Sequence, residues 1–488
     1  MSSRSLVALL LATSVLGCRE APAPRPRPIP DPWLTAIEAD LPRRGDEPKI
    51  GAIVFVVIDA LRADYLGVYG SDRGLTPELD ALGERSTVFE SAFATSAWTR
   101  SSVTSMLTAR YPTAAGVLGR GDVLPESATT LTEILGRRGF KTLGLSTNHN
   151  AGADVGFAQG FETFAVPPGR RSYPGDYQMV PAEHVTRAAL DWVDAQDGES
   201  PLFLFLHYTD PHDPYLPQPE WNDPSVARGR FDGSRRSLEA LDSTPREELT
   251  AHDLNRIVDL YEGEVAYVDR WVGRLFDGLE ERGLGPENTL WIITADHGEG
   301  LWSHGWRGHG ADLYEEMIRV PLILSAPGEA TGRVAVPVSL LDLSPTVLSV
   351  LQWPQPETFQ GHSLIPLLRG EDRPAPLVVI YSELSLGPFD LEMLRVGDMK
   401  LIKNRGLINE RQAPYQLFDL AKDPHEQNDL FGQGHPEEAR LIAALWRWNR
   451  AIARSSEPRR PGRLSELSPE TLEAMKGLGY LSPVDEVR

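Results

Sequence analysis

The sequence predicts an α/β fold, in which a doubly wound, mostly parallel sheet is sandwiched by helices and followed by a small C-terminal antiparallel sheet. Continuous apolar runs such as Ile53–Ile58 (IVFVVI) and Leu202–Leu206 (LFLFL) are typical of strands buried on both faces. Helical patterns alternate with these runs, which indicates a parallel arrangement. After about Leu377, short strand-like runs separated by turn residues predict the antiparallel sheet.

The predicted elements follow one another in a regular order. The strands of the large sheet are Ile53–Ile58, Thr142–Leu145, Leu202–Leu206, Leu290–Ile293 and Pro321–Leu324. The helices are one that begins at Thr76-Pro77-Glu78, His184–Val193 and the long amphipathic Thr250–Leu279. In the C-terminal part, the strands are Leu377–Tyr381, Met393–Val396, Lys400–Ile402 and Tyr415–Asp419, with the helix Pro436–Ile452 packed on them.

The length and charge of the chain limit its class. It has 488 residues, which favours one large domain with a smaller one. Its 48 Lys and Arg against 69 Asp and Glu give a formal net charge of −21. An acidic surface of this kind argues against nucleic acid as the main partner.

The N-terminal residues predict export. Arg4 precedes the apolar run Leu6–Leu16, which is too short to span a bilayer and ends just before Cys18. Residues 1–18 are therefore interpreted as a signal peptide that resembles a bacterial lipobox, with Cys18 as the lipidated residue. Residues 19–48 are rich in Pro and Arg and predict an extended tether. We expect an exported protein of the bacterial cell envelope that contacts the membrane through this lipid anchor; the alternative is an ordinary cleaved signal that contains a cysteine.

The stretch Ala94–Tyr111 (ATSAWTRSSVTSMLTARY) leads from a small-residue loop into a predicted helix. Thr99 stands just before the apolar positions of that helix, so it has two interpretations. It is an N-cap, as hydroxyl residues at such positions often are. Alternatively it is a nucleophile, because the N-terminus of a helix stabilises a bound anion.

Polar side chains follow three of the predicted strands. Asp59 ends the first, Asp210 and His212 follow Leu202–Leu206, and Asp296 with His297 follows Leu290–Ile293. Open α/β sheets place their ligands at the carboxyl ends of their strands. Asp and His together are ligands of transition metals. With a hydroxyl nearby, they predict a metal, a nucleophile and imidazoles for proton transfer.

Several ordered motifs then resemble the sulfatase family of the alkaline phosphatase superfamily. They are VVIDALRADYLGVYG (Val56–Gly70), TPELDALGERSTVFESAFATSAWTRSSVTSMLTARYP (Thr76–Pro112), LFLFLHYTDPHDPY (Leu202–Tyr215), ITADHGEGLWSHGWRGHGADLYEE (Ile293–Glu316) and IRVPLILSAPG (Ile318–Gly328). The resemblance continues more loosely towards the C-terminus. It implies an α/β sandwich with a small four-stranded sheet, which we expect to divide into a catalytic domain (residues 49–372) and a C-terminal subdomain with its tail (residues 373–488).

The resemblance also implies roles for individual residues. Asp59, Asp296 and His297 match metal ligands of the family, and Thr99 falls at the nucleophile position, which also contacts the metal. His212 matches a histidine that contacts the ester or its leaving group. His309 lies where relatives keep a Lys or His near the substrate. Two further residues, Asp210 and His304, are weaker candidates for substrate binding.

The chain departs from the family at the nucleophile. Sulfatases carry a C-x-P-S-R motif whose Cys, sometimes Ser, becomes formylglycine, whereas this chain has Thr99, Arg100, Ser101, Ser102 and Val103. A threonine cannot form the aldehyde hydrate that releases sulfate by elimination. A phosphorylated threonine beside a metal can be released by in-line attack. The chemistry therefore favours phosphate or phosphonate esters, small or polymeric, with water or another acceptor.

Two alternatives to phosphoryl transfer stay open. One is a sulfate-ester hydrolase that works with unmodified Thr99, and the other is an inactive surface lipoprotein that binds anionic glycans or lipid headgroups. The second Asp that many sulfatases have after Asp59 is Ala60 here. One oxygen ligand fewer, with His297 present, favours Zn²⁺ or Mn²⁺ over Ca²⁺ or Mg²⁺ as the single divalent ion. A second metal ion is not excluded by the sequence.

Overall fold

The computed structural model describes residues 50–168, 171–172, 178–222, 230–371, 379–406, 413–456, 467–469 and 471–472. Cys18, the predicted signal peptide and the predicted tether lie outside these residues. The strands of the large sheet are Ala52–Ile58 (β1), Thr87–Phe89 (β2), Lys141–Ser146 (β3), Thr163–Ala165 (β4), Leu202–Tyr208 (β5), Thr289–Thr294 (β6), Leu322–Ser325 (β7) and Gly332–Val334 (β8). Those of the C-terminal sheet are Val379–Leu386 (β9), Phe389–Val396 (β10), Met399–Asn404 (β11) and Tyr415–Asp419 (β12).

Eight longer helices surround these strands. They are Pro77–Glu84 (α1), Thr99–Thr108 (α2), Leu131–Arg137 (α3), Ala182–Asp194 (α4), Arg235–Asp242 (α5), Ala251–Glu281 (α6), Leu343–Val350 (α7) and Glu437–Arg454 (α8). Shorter helices at Pro112–Ala115, Glu315–Ile318 and Ile365–Leu368 connect them. Small strand pairs or triplets are formed by Ala92–Phe93, Arg319–Val320 and Val338–Ser339, by Gly300–Leu301 and Arg307–Gly308, and by Arg171–Ser172 and Gln178–Met179.

The large sheet confirms the predicted mostly parallel α/β fold. Its strand order is β8-β2-β7-β6-β1-β5-β3-β4. The neighbours β6, β1, β5, β3 and β4 are parallel, whereas β7 is antiparallel to both β6 and β2. Strand β1 therefore has β6 on one side and β5 on the other. The carboxyl ends of these three central strands meet at one edge of the sheet, as the sequence predicted.

The central strands form because they are apolar on both faces. Every residue of β1, β5 and β6 is buried. Helix α6 packs on this layer and buries Ile257, Tyr261, Val268 and Leu275. It begins at a capping box in which Thr250 and Asp253 bond to each other's backbone N–H groups. The apolar face predicted for Thr250–Leu279 thus holds the longest helix against the sheet.

Helix α2 differs from the amphipathic helix that its sequence suggests, because all ten of its residues are buried. Some of its hydroxyl groups bond within the helix: Thr104 donates to the carbonyl of Arg100 at 2.8 Å, and Thr108 donates to that of Thr104 at 2.7 Å. These bonds satisfy polar groups that would otherwise be costly to bury. A helix rich in Ser and Thr can therefore run through the core.

The C-terminal sheet confirms the predicted antiparallel arrangement, with its strands in sequential order β9-β10-β11-β12. Strands β9 and β10 are longer than predicted because polar residues such as Asp390 and Glu392 interrupt the apolar pattern of β10. One apolar cluster joins the sheet to α8, and another joins it to Trp98, Leu313 and Met317 of the large domain. No helix in the described part of the chain is long and apolar enough to span a bilayer.

Candidate active site

The carboxyl edge of the central strands brings together four charged or ionisable side chains. Asp59 directly follows β1, and His207 is the second-to-last residue of β5. Asp296 and His297 follow β6. All four residues are completely buried. The site therefore lies where the parallel topology places it, at the ends of neighbouring strands.

Asp59, His207 and Asp296 form a group whose ligand atoms all lie within 4.8 Å of one another, and no second such group of His, Cys, Asp or Glu occurs among the described residues. His207 Nε2 is 3.7 Å from Asp59 Oδ2 and 3.7 Å from Asp296 Oδ2. Three atoms of this group have no hydrogen-bond partner in the part of the chain described: Asp59 Oδ1, His207 Nε2 and Asp296 Oδ2. Buried polar atoms that lack partners and face one another fit a bound cation.

Hydrogen bonds to one oxygen of Asp296 orient its carboxylate, and the other oxygen faces Asp59 and His207. Its Oδ1 accepts from the backbone N–H of His297 at 3.0 Å and of Ala60 at 3.3 Å. Ala60 has a left-handed backbone, with φ of 58°, that turns the chain sharply after β1. At the position where many sulfatases have a second Asp, this chain uses a backbone N–H to orient Asp296.

His297 and Thr99 complete the cluster. His297 Nε2 is 3.5 Å from Asp59 Oδ1, 3.6 Å from Asp296 Oδ2 and 3.2 Å from Thr99 Oγ1. The other ring nitrogen, Nδ1, is 2.9 Å from the carbonyl oxygen of Gly298 and therefore carries the proton. The lone pair of Nε2 is thus directed at the carboxylates and at Thr99.

Thr99 is not the N-cap that the first interpretation expected. Trp98 occupies the N-cap position, without a side-chain hydrogen bond, and Thr99 is the first residue of α2. The hydroxyl of Thr99 is completely buried and faces His297 instead of the first turn of the helix. The geometry agrees with the second interpretation, in which the hydroxyl lies at a helix N-terminus beside side chains that could bind a metal.

The segment before Thr99 is fixed by the C-terminal sheet. Ser382 of β9 donates to the carbonyl of Ala94 at 2.6 Å, and the N–H of Glu383 donates to that of Thr95 at 2.8 Å. Trp98 packs in the apolar cluster shared with that sheet. The C-terminal sheet thus helps to position the residue at the centre of the site.

Asn148, which the sequence analysis did not single out, contacts both Asp59 and Thr99. Its Nδ2 donates to Asp59 Oδ2 at 2.7 Å and to Thr99 Oγ1 at 3.3 Å. It follows β3, the neighbour of β5. The neighbouring Arg100 has other partners: its guanidinium donates to the carbonyl of Asp122 at 2.8 Å and to Asn150 Oδ1 at 3.0 Å.

His212 and His309 lie beside the cluster with their rings in edge-to-face contact, and their predicted contact with an ester stays a prediction. Their ring centroids are 4.7 Å apart, and the rings of His309 and His297 are 4.3 Å apart. His212 Nδ1 is 2.5 Å from the carbonyl oxygen of Asp213, and His309 Nδ1 is 3.3 Å from Glu299 Oε1. Burial, together with the neighbouring His309, lowers the pKa of His212 to about 4, so the ring is neutral at physiological pH.

The two weaker candidates have other contacts. Asp210 Oδ2 accepts from the backbone N–H of Ala182 at 2.9 Å, at the start of α4. His304 Nδ1 is 2.5 Å from Glu316 Oε1, and the ring of His304 stacks on Tyr314 with centroids 3.8 Å apart. These contacts give His304 a packing role beside the C-terminal sheet and give Asp210 a contact with the start of a helix. Substrate binding by either stays a prediction.

The electrostatics of the cluster also require a cation. Burial raises the pKa of Asp59, and the nearby charge of Asp296 raises it further. Although burial disfavours its charge, His297 and His207 hold the pKa of Asp296 below its ordinary value. Two buried carboxylates at this spacing repel each other unless a positive charge lies between them. A divalent ion held by Asp59, Asp296 and His297, with Thr99 beside it, fits this arrangement, and sulfatase-family enzymes are metal-dependent.

Comparison with known proteins gives the family. The family model described as Sulfatase matches residues 52–353, and the one described as N-sulphoglucosamine sulphohydrolase, C-terminal, matches residues 303–450. The choline-sulfatase of Rhizobium meliloti (strain 1021) is 27% identical over 451 residues, which cover 80% of this chain and 85% of that protein.

Two solved structures have the same fold. The structure of BT4656 in complex with its substrate D-glucosamine-2-N,6-O-disulfate has a TM-score of 0.68 at 20% identity and covers 84% of this chain and 99% of that one. The phosphonate monoester hydrolase of Agrobacterium radiobacter has a TM-score of 0.64 at 20% identity, covering 83% of this chain and 96% of that one. The chain belongs to the sulfatase family of the alkaline phosphatase superfamily and is a hydrolase of sulfuric or phosphoric esters.

Proposed function

We propose that this chain is a metal-dependent hydrolase or transferase that acts on phosphate or phosphonate esters through unmodified Thr99. One observation carries the proposal: a buried threonine hydroxyl lies 3.2 Å from His297 Nε2, inside a group of metal-ligand side chains. Threonine stands there at the position where sulfatases of the family have a residue that becomes formylglycine. Compared with formylglycine sulfatases, the protein retains side chains that can bind the metal and has a different nucleophile.

Each group in the site has a chemical task. A bound divalent ion lowers the pKa of a nearby hydroxyl and neutralises charge on the ester oxygens. Thr99 Oγ1 attacks phosphorus, the bond from phosphorus to the leaving group breaks, and Thr99 carries the phosphoryl group. Asn148 donates to Thr99 Oγ1 and so fixes the direction of the hydroxyl. The backbone N–H groups in the first turn of α2 donate hydrogen bonds to the negative oxygens of the ester.

His212 and His309 supply the proton transfers. A neutral imidazole accepts the proton that the Thr99 hydroxyl loses and gives it to the leaving oxygen, and it then accepts a proton from water or another acceptor that attacks the phosphorus on Thr99. The His212 imidazole is buried and that of His309 is 8% exposed. The two rings are in edge-to-face contact and His309 lies next to His297, so both flank the position where an ester on Thr99 would lie. Attack by water regenerates the hydroxyl of Thr99 and releases phosphate or phosphonate.

Phosphorus is favoured over sulfur by the second half of the reaction. Formylglycine has two hydroxyls on one carbon, so a sulfated enzyme releases sulfate by elimination. Thr99 has a single hydroxyl and has no such route. A phosphorylated threonine can be released by in-line attack on phosphorus. The alternative substrate, a sulfate ester, is supported by the family match and by the similarity to a choline-sulfatase, and it requires direct attack of water on sulfur.

Matched esters distinguish the two substrates. Aryl phosphate, aryl phosphonate, bis-aryl phosphate and aryl sulfate with the same leaving group are assayed on one metal-loaded preparation. We expect turnover of one or more phosphorus esters, at least about 10³-fold loss in Thr99→Ala, and retention within about tenfold in Thr99→Ser. Turnover of the sulfate alone would support the sulfatase alternative. Full activity of Thr99→Ala would exclude Thr99 as nucleophile.

The set of candidate metal ligands and the family match argue against the third hypothesis, an inactive surface lipoprotein.

From the sequence we also propose that Cys18 is lipidated and holds the exported enzyme at the cell envelope. Full-length protein and a Cys18→Ala variant, expressed in a bacterium, are compared by membrane fractionation. We expect the variant to leave the membrane fraction. Equal membrane association of both proteins would contradict the anchor.

A further inference from the structure

His207 occupies a position that neither the family motif nor the sequence analysis assigned. It belongs to β5, which pairs with β1 on the side opposite β6. The ring is completely buried, and Nε2 lies 3.7 Å from one oxygen of each carboxylate, Asp59 and Asp296. Nε2 has no hydrogen-bond partner among the described residues. His297 faces the same two carboxylates from the strand on the other side of β1.

The other side of the ring determines which nitrogen carries the proton. His207 Nδ1 is 3.2 Å from Ser146 Oγ, and Ser146 Oγ donates its single hydrogen to the carbonyl of Asn148 at 3.0 Å. The serine oxygen must therefore accept from Nδ1–H. The neutral ring then has its lone pair on Nε2, directed at the two carboxylates. Metal-binding histidines have this arrangement, because a hydrogen bond at one nitrogen fixes the lone pair of the other.

Two explanations for this geometry can be separated by distance. If His207 were a protonated counter-ion, Nε2–H would bond to a carboxylate at about 2.7–3.2 Å, and the distance of 3.7 Å is too long for that. Two ligand atoms bound to one ion at about 2.1 Å, in tetrahedral geometry, lie about 3.4 Å apart. The separations of 3.5–3.7 Å between imidazole nitrogens and carboxylate oxygens agree with the second case.

We propose that His207, oriented by Ser146, is a direct ligand of the metal, so that two imidazoles and two carboxylates bind it. The inference rests on the metal-dependent function proposed above and deepens it. Two nitrogen donors favour Zn²⁺ or Mn²⁺ over Ca²⁺, which prefers oxygen ligands. The imidazole of His207 supplies a ligand in a site where Ala60 cannot offer the carboxylate found in many sulfatases.

X-ray absorption of the Zn²⁺-loaded protein counts the imidazoles on the metal without relying on activity. We expect two in the wild-type chain and one in His207→Phe, a substitution that keeps a ring in the buried space. The Zn²⁺ dissociation constant should rise at least about 100-fold in His207→Phe and about 10–100-fold in Ser146→Ala, which keeps both imidazoles. His304→Gln, which alters a buried histidine with a carboxylate partner elsewhere, should leave Zn²⁺ binding unchanged.

The outcomes separate this inference from the proposed function. One imidazole on the metal in the wild-type chain would overturn the role of His207 and leave the Thr99 mechanism in place. A wild-type chain that binds no Zn²⁺ and is inactive with Mn²⁺ would overturn both. If His207→Phe does not fold, the wild-type imidazole count and the affinity of Ser146→Ala still decide the matter.

Discussion

Two groups of charged side chains in the described part of the molecule differ in how their carboxylates are compensated. The edge cluster, at the ends of the central strands, comprises Thr99, Asp59, His207, Asp296 and His297. The subdomain cluster, between the large domain and the C-terminal sheet, comprises His304, Asp312, Glu315, Glu316, Lys400 and Glu426. The edge cluster is completely buried, as are Asp312, Lys400 and Glu426 of the subdomain cluster to within a few per cent, yet only the subdomain cluster contains a lysine. The comparison shows which buried charges bind a ligand and which support packing.

In the subdomain cluster, positive side chains contact the carboxylates directly. Lys400 Nζ lies 2.9 Å from Glu315 and 2.7 Å from Glu426, and His304 is 2.5 Å from Glu316. In the edge cluster, partnerless atoms of Asp59, His207 and Asp296 face one another. Because an isolated buried charge is costly, a group without its own cation indicates a bound one.

Metal removal gives the largest expected effect on the edge cluster. Treatment with a chelator should reduce ester turnover to background, and it should lower the melting temperature because the buried carboxylates of Asp59 and Asp296 lose their counter-charge. Zn²⁺ or Mn²⁺ should restore both properties, whereas Ca²⁺ should not. Turnover and thermal unfolding are measured on the same samples. Full activity after complete metal removal would contradict the assignment of the edge cluster.

Removal of the buried lysine tests the subdomain cluster. Lys400→Met removes the completely buried cation that contacts both Glu315 and Glu426. Arg395 then lies 3.8 Å from Glu315, so Glu426 is the more affected carboxylate. We expect the free energy of unfolding to fall by roughly 3–5 kcal/mol. Bound metal per folded chain should not change. Denaturant unfolding and metal analysis make the measurement, and loss of metal without loss of stability would show that the two clusters are not separate in function.

Asn148 is expected to have an intermediate effect on catalysis. Asn148→Ala removes the donor to Thr99 Oγ1 and Asp59 Oδ2, so the hydroxyl is less well oriented. We expect kcat/KM to fall about 10–100-fold, with bound metal retained. Asn288→Ala is the matched control, because Asn288 lies at the other end of β6 and its side chain bonds to the carbonyl of Gly283. Equal activity of wild type and Asn148→Ala would exclude this positioning role.

The smallest expected effect is a pH dependence in the subdomain cluster. Burial, with the charge of Glu316, raises the pKa of Asp312 to about 8, and the structure gives Oδ2 no hydrogen-bond partner among the described residues. The folded protein therefore holds this proton when the unfolded chain has lost it. Stability that depends on it is present below about pH 4 and is lost as the pH rises towards about 8.

Asp312→Asn replaces the carboxyl by an amide that does not titrate, so this contribution to the pH dependence of stability is lost. We expect the melting temperature of Asp312→Asn, relative to wild type, to rise between about pH 4 and about pH 8. His304, Tyr314 and Glu426 also face this carboxylate, so the difference between the two proteins is the quantity to compare. A difference that is constant over this range would show that Asp312 has an ordinary pKa in the folded state.

The sequence predicted the fold and three of the five residues of the edge cluster for one physical reason. Strands buried on both faces are recognisable as apolar runs, and the residues after them must lie at one edge of a parallel sheet. Asp59, Asp296 and His297 follow such runs directly. Thr99 could be placed through the family motif, although its local sequence equally suggested an N-cap.

His207 and Asn148 were missed because their signals are weak. The predicted strand ended at Leu206, whereas β5 continues to Tyr208, so His207 was counted with the following loop. A histidine inside an apolar strand near its carboxyl end was the available signal. Asn148 after β3 resembles a turn residue. Its contact with Asp59 depends on the lateral order of β1, β5 and β3, which local patterns do not determine.

His304 is a different case: a motif suggested it as a substrate-binding residue, which stays a prediction, and its contacts in the structure are packing contacts. It stands between Gly300–Leu301 and Arg307–Gly308, which pair as a hairpin, and the structure turns it towards Glu316 and Tyr314. His309, five residues later, contacts the ring of His297. Spacing alone could not tell which side of the hairpin faces the site.

Covalent labelling of Thr99 tests the central claim most directly. The metal-loaded wild-type chain is mixed with a phosphorus-labelled phosphodiester, quenched in acid and digested, and the peptide that contains Thr99 is analysed by mass spectrometry. We predict label on Thr99 in the wild-type chain and none in Thr99→Ala. Continued turnover without label on Thr99, or covalent sulfate on Thr99 from a sulfate ester alone, would contradict the phosphoryl-transfer account.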